Sequence, residues 1–435
     1  MKIIDEKQFV TIIVLSIIIG ASVGFVISVF HILTDYILLH KSNFIDKYLF
    51  FEDMPWFSYM LLSAIMVFLS VYLVRFYNPE SGGSGIQEIE GVAMGKRKMH
   101  EFRVVFFKFI GGILSLGASM TMGREGPSVQ IGGALGQIAS RITNLESEEI
   151  RTLVVAGAGA GLAAAFNAPL AGIIFVFEEM RKGVKYKYLS VQSVVTAVVV
   201  SIIVLRLLTG NTVAIPVQHL LSPNASYIWI FAVFGILFGL FGYLFNYLLI
   251  IFIDAISLIK GWKYYLLVFI IGAVIGLLYY IYPQGVGEGY DAITVAMHGS
   301  LALKSVLFMF FVRFFTTMVS YGTGAPGGIF APMMALGSLL GVAFGIFVSY
   351  LMPEIEIEPV VFAIVGMSTL FSATVRAPVT GIVLVSEITM SFDLMLPMLM
   401  TSLVATFVVN SLGGRPIYTV LLERTLKIAK FGTKD

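Results

Sequence analysis

The segment Val10–Leu33 constrains the fold more than any other part of the chain, because it contains no Asp, Glu, Lys or Arg. A helix needs about 20 consecutive apolar residues to cross the hydrocarbon core of a bilayer, and this run is too long for the core of a cleavable signal peptide. Only 12% of the residues are charged, against about 25% in soluble domains. The chain is therefore predicted to be an all-α polytopic protein embedded in the lipid bilayer. Six segments are predicted to span it: Val10–Leu33, Trp56–Val74, Val191–Leu205, Ile228–Ile253, Tyr264–Tyr282 and Leu394–Val409.

Two further apolar regions, 103–180 and 305–390, are interrupted repeatedly by Gly, Pro, Ser and Thr. Uninterrupted spans are not expected there, and short, broken or re-entrant helices are predicted instead. Irregular backbone is tolerated at membrane depth only where protein buries it or where it lines a cavity. These two regions are therefore the expected location of a functional site.

The two broken regions resemble each other. Three pairs of segments match in the same order: Gly123–Gly136 with Gly324–Gly337, Ala168–Glu178 with Ala377–Glu387, and more weakly Gly83–Ile86 with Gly287–Tyr290. This repetition predicts one transmembrane domain made of two homologous halves, about 1–215 and 216–435, with no cytoplasmic regulatory domain. Three predicted spans lie between residues 185 and 285, and an odd number favours inverted topology of the halves. Matched broken segments in two halves indicate a transport site at the repeat interface.

The distribution of charge predicts orientation and excludes some functions. The positive-inside rule places the basic segments, and with them the N- and C-termini, on the cytoplasmic side. A net charge of +2 gives no basic field for nucleic acid. The absence of cysteine excludes disulfides and thiolate sites, and the sequence indicates no metal or cofactor. The basic segments contain Lys96, Arg97, Lys98 and Arg103; Arg181, Lys182, Lys185 and Lys187; and Arg424, Lys427, Lys430 and Lys434.

Glu125 is an isolated carboxylate within apolar sequence. Lys108 is the only charge between Arg103 and Arg124, and the next charge after Glu125 is Arg141. An ionisable residue at membrane depth is a functional-site hypothesis by default. Burial disfavours its charged form, whereas Arg124 and helix N-termini favour it, so its protonation can change during a transport cycle. The alternative is a static ion pair between Glu125 and Arg124.

Three glycine-rich segments, Gly82–Gln87, Gly123–Gly126 and Gly327–Pro332, are each predicted to begin a helix. Unpaired N–H groups and the helix dipole attract anions at such positions. Three helix starts that converge can bind one anion without a full positive charge, which suits a site from which the ion must leave. For any single cluster, a tight turn or close helix packing is the alternative.

Together these residues resemble the CLC family of chloride channels and transporters, over essentially the whole chain. The resemblance depends on GSGIQ (GSGIP in the family), GREGP, GGIFAP, two Ala-Pro-x-x-Gly-Ile repeats and Arg415–Tyr418. It implies an α-helical homodimer of inverted repeats with one ion pathway per subunit.

The resemblance also implies roles for individual residues. The hydroxyls of Ser84 and Tyr418 and the backbone N–H groups of Ile329 and Phe330 match the groups that bind chloride. Glu125 matches the gating glutamate, which competes with chloride for the anion site until it is protonated. Residues expected to support the anion path are Gly83, Gly85, Arg124, Gly126 and Gly328.

Two adjacent carboxylates, Glu178 and Glu179, are interpreted differently. Glu178 has a repeat counterpart in Glu387, which favours a shared structural role such as helix capping. Glu179 has no acidic counterpart and lies beside a basic loop predicted to be cytoplasmic. It matches the internal proton-transfer glutamate of the family's transporters, which the channels usually lack. The alternative is a surface carboxylate paired with Arg181 or Lys182.

The predicted function is a chloride/proton antiporter, not an enzyme, of a bacterial cytoplasmic membrane. Gln87 replaces the proline of the family motif, but Ser84 is retained, so chloride is the expected substrate and other halides and nitrate are expected to permeate. The alternatives are a passive chloride channel of the same family, a sodium-coupled transporter, and an intramembrane serine protease with Ser84 as nucleophile. The protease needs a histidine base, and none of the five histidines lies in a Gly/Ala-rich span.

Overall fold

The computed structural model describes residues 6–48, 54–181, 183, 187–211, 214–215, 217, 220, 222–298 and 302–431, with the backbone alone at 46, 48 and 428–431. Of the basic residues used to predict orientation, Lys182, Lys185 and Lys434 lie outside these ranges. The described residues form 17 α-helices connected by turns and short 3-10 helices. By length and composition, nine of the helices found within these ranges can cross a membrane.

The helices fall into two successions of eight, followed by a seventeenth. The first succession is α1 (Glu6–Tyr48), α2 (Pro55–Tyr77), α3 (Ile86–Ala93), α4 (Glu101–Gly117), α5 (Glu125–Ser140), α6 (Ser147–Phe166), α7 (Pro169–Glu178) and α8 (Tyr188–Thr209). The second is α9 (Ile228–Ser257), α10 (Trp262–Ile281), α11 (Tyr290–Met297), α12 (Leu303–Gly322), α13 (Phe330–Leu351), α14 (Pro359–Val375), α15 (Pro378–Thr389) and α16 (Met395–Ser411). The last helix is α17 (Ile417–Phe431).

The six predicted spans all lie in long helices, namely α1, α2, α8, α9, α10 and α16. The expectation that the broken regions contain no uninterrupted span is wrong for three helices. α6, α12 and α13 have 20, 20 and 22 residues and are apolar enough to cross a membrane. The Gly and Ser residues in these helices serve close packing and do not break them. The short helices predicted for these regions are α7 and α15, with 10 and 12 residues, and each begins with a proline, whose missing N–H is not needed there.

Equivalent residues of the two halves face each other across a local two-fold axis. Gly123 and Gly328 lie two residues before α5 and α13 and form an antiparallel bridge. Each donates its N–H to the carbonyl oxygen of the other, at N–O distances of 2.9 and 2.7 Å. Two equivalent residues that exchange hydrogen bonds in this way are related by a rotation of half a turn. This geometry confirms the prediction of inverted repeats.

The reciprocal contacts of Glu178 and Glu387 obey the same symmetry. Glu178 ends α7 and accepts from the backbone N–H groups of Val379 (3.1 Å) and Thr380 (2.7 Å) at the start of α15. Glu387, in α15, accepts from Leu170 (3.0 Å) and Ala171 (2.8 Å) at the start of α7. Each carboxylate thus satisfies N–H groups that have no partner within their own helix. The predicted capping role of this pair is confirmed.

The sequence alignment of the longest repeat is wrong by one helical turn. It paired Gly136 with Gly337, whereas the helix starts pair Gly132 with Gly337. A Cβ atom at Gly132 would collide with Gly157 of α6, and one at Gly337 would collide with Gly366 of α14. Glycines recur every four residues on these packed faces, so an alignment shifted by one turn still matches glycine with glycine. Tertiary contact is needed to fix the register.

Candidate functional site

The Glu125 carboxylate lies at the start of a helix from the other half of the chain. Glu125 is the first residue of α5 and is fully buried. Its Oε1 atom accepts hydrogen bonds from the backbone N–H groups of Phe330 (2.6 Å) and Ala331 (3.3 Å) in the first turn of α13. Its Oε2 atom has no hydrogen-bond partner in the described part of the chain. Because a helix start attracts negative charge, the carboxylate occupies an anion-binding position.

The amide groups that bind the Glu125 carboxylate share one residue, Phe330, with the pair predicted to bind chloride. The resemblance pointed to Ile329 and Phe330, but the hydrogen bonds to Glu125 come from Phe330 and Ala331. Ile329 is the residue before α13 and is fully buried. The position of Ala331 in the first turn, with its N–H free of an intrahelical partner, is the signal that could have identified it.

Arg124 does not pair with Glu125. Its guanidinium Nε lies 2.9 Å from Glu288, and its NH2 group lies 2.8 Å from Asp35. Glu288 is buried, whereas about half of the Asp35 side chain is exposed. The alternative of a static Glu125–Arg124 ion pair is therefore not formed among the described residues. Within the described ranges, Glu125 therefore has no ion pair with Arg124 that would fix its charge.

The hydroxyl groups of Ser84 and Tyr418 converge on the same place. Both residues are fully buried, and neither hydroxyl oxygen has a hydrogen-bond partner within the described residues. A Cβ atom at Gly126 would lie 2.7 Å from Ser84 Oγ and 3.0 Å from Gly328 Cα. The Tyr418 ring makes an edge contact with the Phe330 ring at 5.8 Å between centroids. Buried polar groups are rarely left unpaired, so two unpaired hydroxyls beside one helix start suit a ligand that accepts hydrogen bonds.

Glycines allow this close approach. A side chain at Gly123 or at Gly328 would collide with the Glu125 carboxylate. Gly83 and Gly85 have φ angles of +59° and +85°, a region that residues with a Cβ rarely adopt. The predicted supporting glycines are therefore needed for the path of the backbone, and no glycine contributes a side chain to the chemistry.

Backbone hydrogen bonds join the three glycine-rich segments. Gly83 donates to Gly324 O at 3.1 Å, and Gly327 donates back to Gly83 O at 3.0 Å. The bridge between Gly123 and Gly328 connects the other two segments. Backbone hydrogen bonds thus bring the starts of α3, α5 and α13 together, in agreement with the expectation that the three segments converge.

Lys108 supports this arrangement and was not predicted to do so. Its side chain is fully buried in α4, and its Nζ atom donates to Ser81 O (3.1 Å) and Gly83 O (2.6 Å). The signal was present in the sequence, because Lys108 is the only charge between Arg103 and Arg124. A buried amine is costly unless it is hydrogen-bonded, and these two bonds hold Lys108 Nζ beside the Ser84 loop.

Glu179 lies at the C-terminal end of the short helix α7. It directly follows α7, its N–H donates to Phe175 O at 2.9 Å, and its side chain is half-buried. Tyr418 interacts electrostatically with both Glu179 and Glu125. The structure therefore places a tyrosine of the anion site within electrostatic range of both predicted proton-carrying residues.

A cavity of about 560 Å³ opens beside Arg124. His31, Asp35 and Tyr290 line it together with the end of α6. Arg124 lines the cavity, whereas Glu125 does not.

The described residues contain no serine–histidine pair. Ser84 Oγ and His31 Nε2 both lack a hydrogen-bond partner in the described ranges, and His219 lies outside those ranges. A protease centre requires a base within hydrogen-bond reach of the nucleophile, so the described geometry gives that alternative no support. The other histidines bond elsewhere: His40 to Tyr36 O, His100 to Glu80 and His298 to Thr294 O.

Comparison with known proteins gives one family. The model of the family described as "Voltage gated chloride channel" matches residues 66–410. A protein of Vibrio cholerae named H(+)/Cl(-) exchange transporter ClcA is 46% identical over 384 residues, covering 87% of this chain and 82% of the relative. A protein of the same name from Vibrio parahaemolyticus is 41% identical over 429 residues, covering 98% and 92%.

Solved structures are also similar. The crystal structure of a slow cyanobacterial Cl−/H+ antiporter superimposes with a TM-score of 0.92 at 37% identity, covering 96% of this chain and 98% of the other. A eukaryotic CLC transporter has a TM-score of 0.81 at 21% identity, covering 96% and 74%. A CLC-type fluoride/proton antiporter has a TM-score of 0.76 at 21% identity, covering 95% and 98%. The last two comparisons support the fold alone.

Proposed function

Because this chain belongs to the voltage gated chloride channel (CLC) family, we propose that it is a multi-pass membrane antiporter that exchanges chloride for protons. One observation carries the proposal. A fully buried carboxylate, Glu125, accepts hydrogen bonds at the start of α13 beside the unpaired hydroxyls of Ser84 and Tyr418. The carboxylate and a chloride ion are both anions, and they compete for one position.

The exchange follows from this competition. When Glu125 is ionised, its carboxylate fills the anion position and blocks the path. Protonation removes the charge, weakens the attraction to the helix start, and lets chloride bind there. Chloride then accepts hydrogen bonds from Ser84 and Tyr418 and from the amides of Ile329 and Phe330. Glu125 is in this way both the gate and a proton carrier.

Glu179 is assigned to relay protons between the cytoplasm and Glu125. Its half-buried position at the end of α7, within electrostatic range of Tyr418, supports this role. The reciprocal capping by Glu178 and Glu387 explains the neighbouring carboxylate by structure alone. Glu178 is thus assigned to capping, and Glu179 is assigned to the proton relay.

The proposal also covers the membrane, the oligomeric state, the orientation of the termini and the anions that permeate. The protein works in a bacterial cytoplasmic membrane as a homodimer, with both termini in the cytoplasm. Halves of about 1–215 and 216–435 form one transmembrane domain. Chloride is the physiological anion, and other halides and nitrate also permeate. Named relatives from bacteria, matched over most of their length, support the bacterial origin and the transport of chloride.

Flux from liposomes tests the proposal. Purified protein is reconstituted with a chloride gradient and no pH gradient, and chloride and pH are recorded together. We expect chloride flowing down its gradient to move protons uphill in the opposite direction. Chloride flux that moves no protons would replace the antiporter with a passive channel. Flux that requires sodium would replace it with a sodium-coupled transporter.

Two substitutions test the proposed division of roles. Glu125→Gln cannot release a proton, so it should lose proton transport and retain chloride movement. Glu179→Gln should also lose proton transport and retain chloride flux, because Glu125 still gates the path. Proton pumping by Glu179→Gln would refute the relay but leave the anion site in place.

A further inference from the structure

Two buried polar side chains beside the Ser84 loop have no role in the exchange described above. Tyr321 lies near the end of α12, and Gln87 lies in the first turn of α3. Their exposed fractions are 4% and 8%. A Cβ atom built at Gly83 would lie 3.6 Å from Tyr321 Oη and 4.0 Å from Gln87 Nε2. The two polar atoms therefore approach the same backbone position, directly before Ser84.

Hydrogen-bond donors lie around these two side chains. Lys108 Nζ lies 2.6 Å from Gly83 O and donates to carbonyl oxygens. It forms no ion pair with a carboxylate in the part of the chain that is described. The N–H groups of α3 begin immediately after the loop. Gln87 Oε1 is buried without a hydrogen-bond partner among the described residues, but that atom only accepts, so the donor of this amide is Nε2, the atom that approaches Gly83.

Tyr321 also lies close to the anion position. It interacts electrostatically with both Glu125 and Tyr418. Its place is fixed on both sides, because Thr121 N donates to the Ser320 hydroxyl (3.1 Å) and Gly324 N donates to Tyr321 O (3.1 Å). The first of these bonds ties the end of α12 to the segment before Glu125, and the second closes the turn that follows α12. The phenol is therefore held beside the path that the Glu125 carboxylate blocks.

We propose that the Tyr321 hydroxyl and the Gln87 amide form a polar subsite beside Ser84 that sets the selectivity for chloride. The proposal depends on the proposed function and deepens it. Both groups donate to the anion as it passes Ser84 and replace water lost from its hydration shell. Small, strongly hydrated anions such as chloride depend more on this replacement than nitrate does. The subsite also gives a purpose to Gln87, since the proline of the family motif has no side-chain donor.

Anion binding to purified protein tests the subsite directly. Chloride and nitrate are titrated separately, by calorimetry in halide-free buffer, into wild type and Tyr321→Phe. We expect about tenfold weaker chloride binding in Tyr321→Phe, which is the loss of one charge-assisted hydrogen bond, or about 1.4 kcal/mol. Nitrate binding should change by less than about threefold, so the selectivity falls.

Tyr264→Phe is the matched control. The Tyr264 hydroxyl is also buried and donates to Thr323 O at 2.6 Å, near the same end of α12. It should leave both anion affinities unchanged. Equal losses of chloride and nitrate affinity in Tyr321→Phe and Tyr264→Phe would mean that the hydroxyls only hold the helix in place, and would overturn the subsite.

Gln87→Leu gives a second measurement. It should weaken chloride binding about threefold without a matching change for nitrate. If the wild type binds and transports chloride and neither Tyr321→Phe nor Gln87→Leu changes its selectivity, the subsite is wrong and the proposed function stands. If the wild type binds no chloride, the proposed function and the subsite both fail.

Discussion

The loop 83–85 in the first half and the loop 287–289 in the second half have similar backbone conformations. They differ in charge, because the first loop is available to an anion and the second carries its own carboxylate. Each starts with a glycine of positive φ, at Gly83 (+59°) and Gly287 (+71°), and leads into an eight-residue helix. A buried cation bonds the loop carbonyls in both. Lys108 bonds Ser81 O and Gly83 O, and Arg313 bonds Gln284 O, Val286 O and Gly287 O.

The difference lies in the middle residue. Ser84 leaves its hydroxyl unpaired within the described residues, so the first loop is available to an anion. Its counterpart Glu288 carries its own negative charge, which is bonded to Arg124 at 2.9 Å. The repeat builds two similar helix starts, and one side chain decides which of them can receive a mobile anion.

The largest effect is expected from Ser84→Glu, which gives the first loop the side chain of the second. The nearby Lys108 Nζ is already bonded to the carbonyl oxygens of Ser81 and Gly83, so the new carboxylate would repel the anion. Two like charges 4 Å apart cost about 4 kcal/mol at an effective dielectric constant of 20, or roughly a thousandfold in affinity. Calorimetric titration of chloride measures the loss.

Ser84→Ala distinguishes the effect of losing the hydroxyl from the effect of adding a negative charge. It removes one donor, so chloride binding should weaken only about tenfold. If Ser84→Glu binds chloride as well as Ser84→Ala, the comparison between the loops does not depend on charge.

Glu288→Gln tests the other loop. Removing the buried partner leaves Arg124 with the half-exposed Asp35 alone and costs about 3 kcal/mol of unfolding free energy. Denaturant titration in detergent micelles measures it. Asp35→Asn removes the exposed partner of the same guanidinium, and its cost should stay below about 1 kcal/mol. Equal losses of unfolding free energy in the two variants would show that burial does not strengthen the ion pair between Glu288 and Arg124.

A matched pair of glycines gives a smaller effect. Gly83→Ala and Gly287→Ala place a Cβ at similar positive φ angles, and each should cost about 1–2 kcal/mol of stability. Nothing lies within 4 Å of a Cβ at Gly287, whereas one at Gly83 meets Tyr321. Chloride binding should therefore weaken in Gly83→Ala alone. Weakening in both variants would mean that the affinity follows global stability.

The smallest effect is expected where the halves are alike. Glu178→Gln and Glu387→Gln each weaken one reciprocal helix cap, at about 1 kcal/mol. Proton transport in liposomes should be retained in both, in contrast to Glu179→Gln. Loss of proton transport in Glu178→Gln would transfer the relay role to the capping carboxylate.

The fold was largely predictable because membrane depth limits the choice of structure. Uncharged runs such as Val10–Leu33 can only be helices there, and the repeated Ala-Pro-x-x-Gly-Ile segments indicated two halves. The register of α5 against α13 was not predictable, because glycines every four residues permit an alignment shifted by one turn. Intact spans such as α6 were missed because small residues in a membrane helix serve packing as well as interruption.

The sequence predicted which motifs form the site, but it did not predict which residues contact each other there. Glu125 and Ser84 stood out by charge isolation and by glycine pattern. The sequence left Arg124 as a candidate partner of Glu125 because the two are neighbours, yet Arg124 bonds to Glu288 and Asp35. Adjacent residues at a helix start point in different directions, so sequence proximity says little about pairing.

The sequence by itself determined a polytopic helical membrane protein of two halves, with a carboxylate and glycine-rich helix starts at its centre. These follow from composition and local pattern, which act over a few residues. Only the tertiary structure decided that the Glu125 carboxylate lies on the amides of Phe330 and Ala331, and that Tyr321 lies beside Ser84. Such contacts join residues roughly two hundred positions apart, and the rotation that relates the two halves sets them.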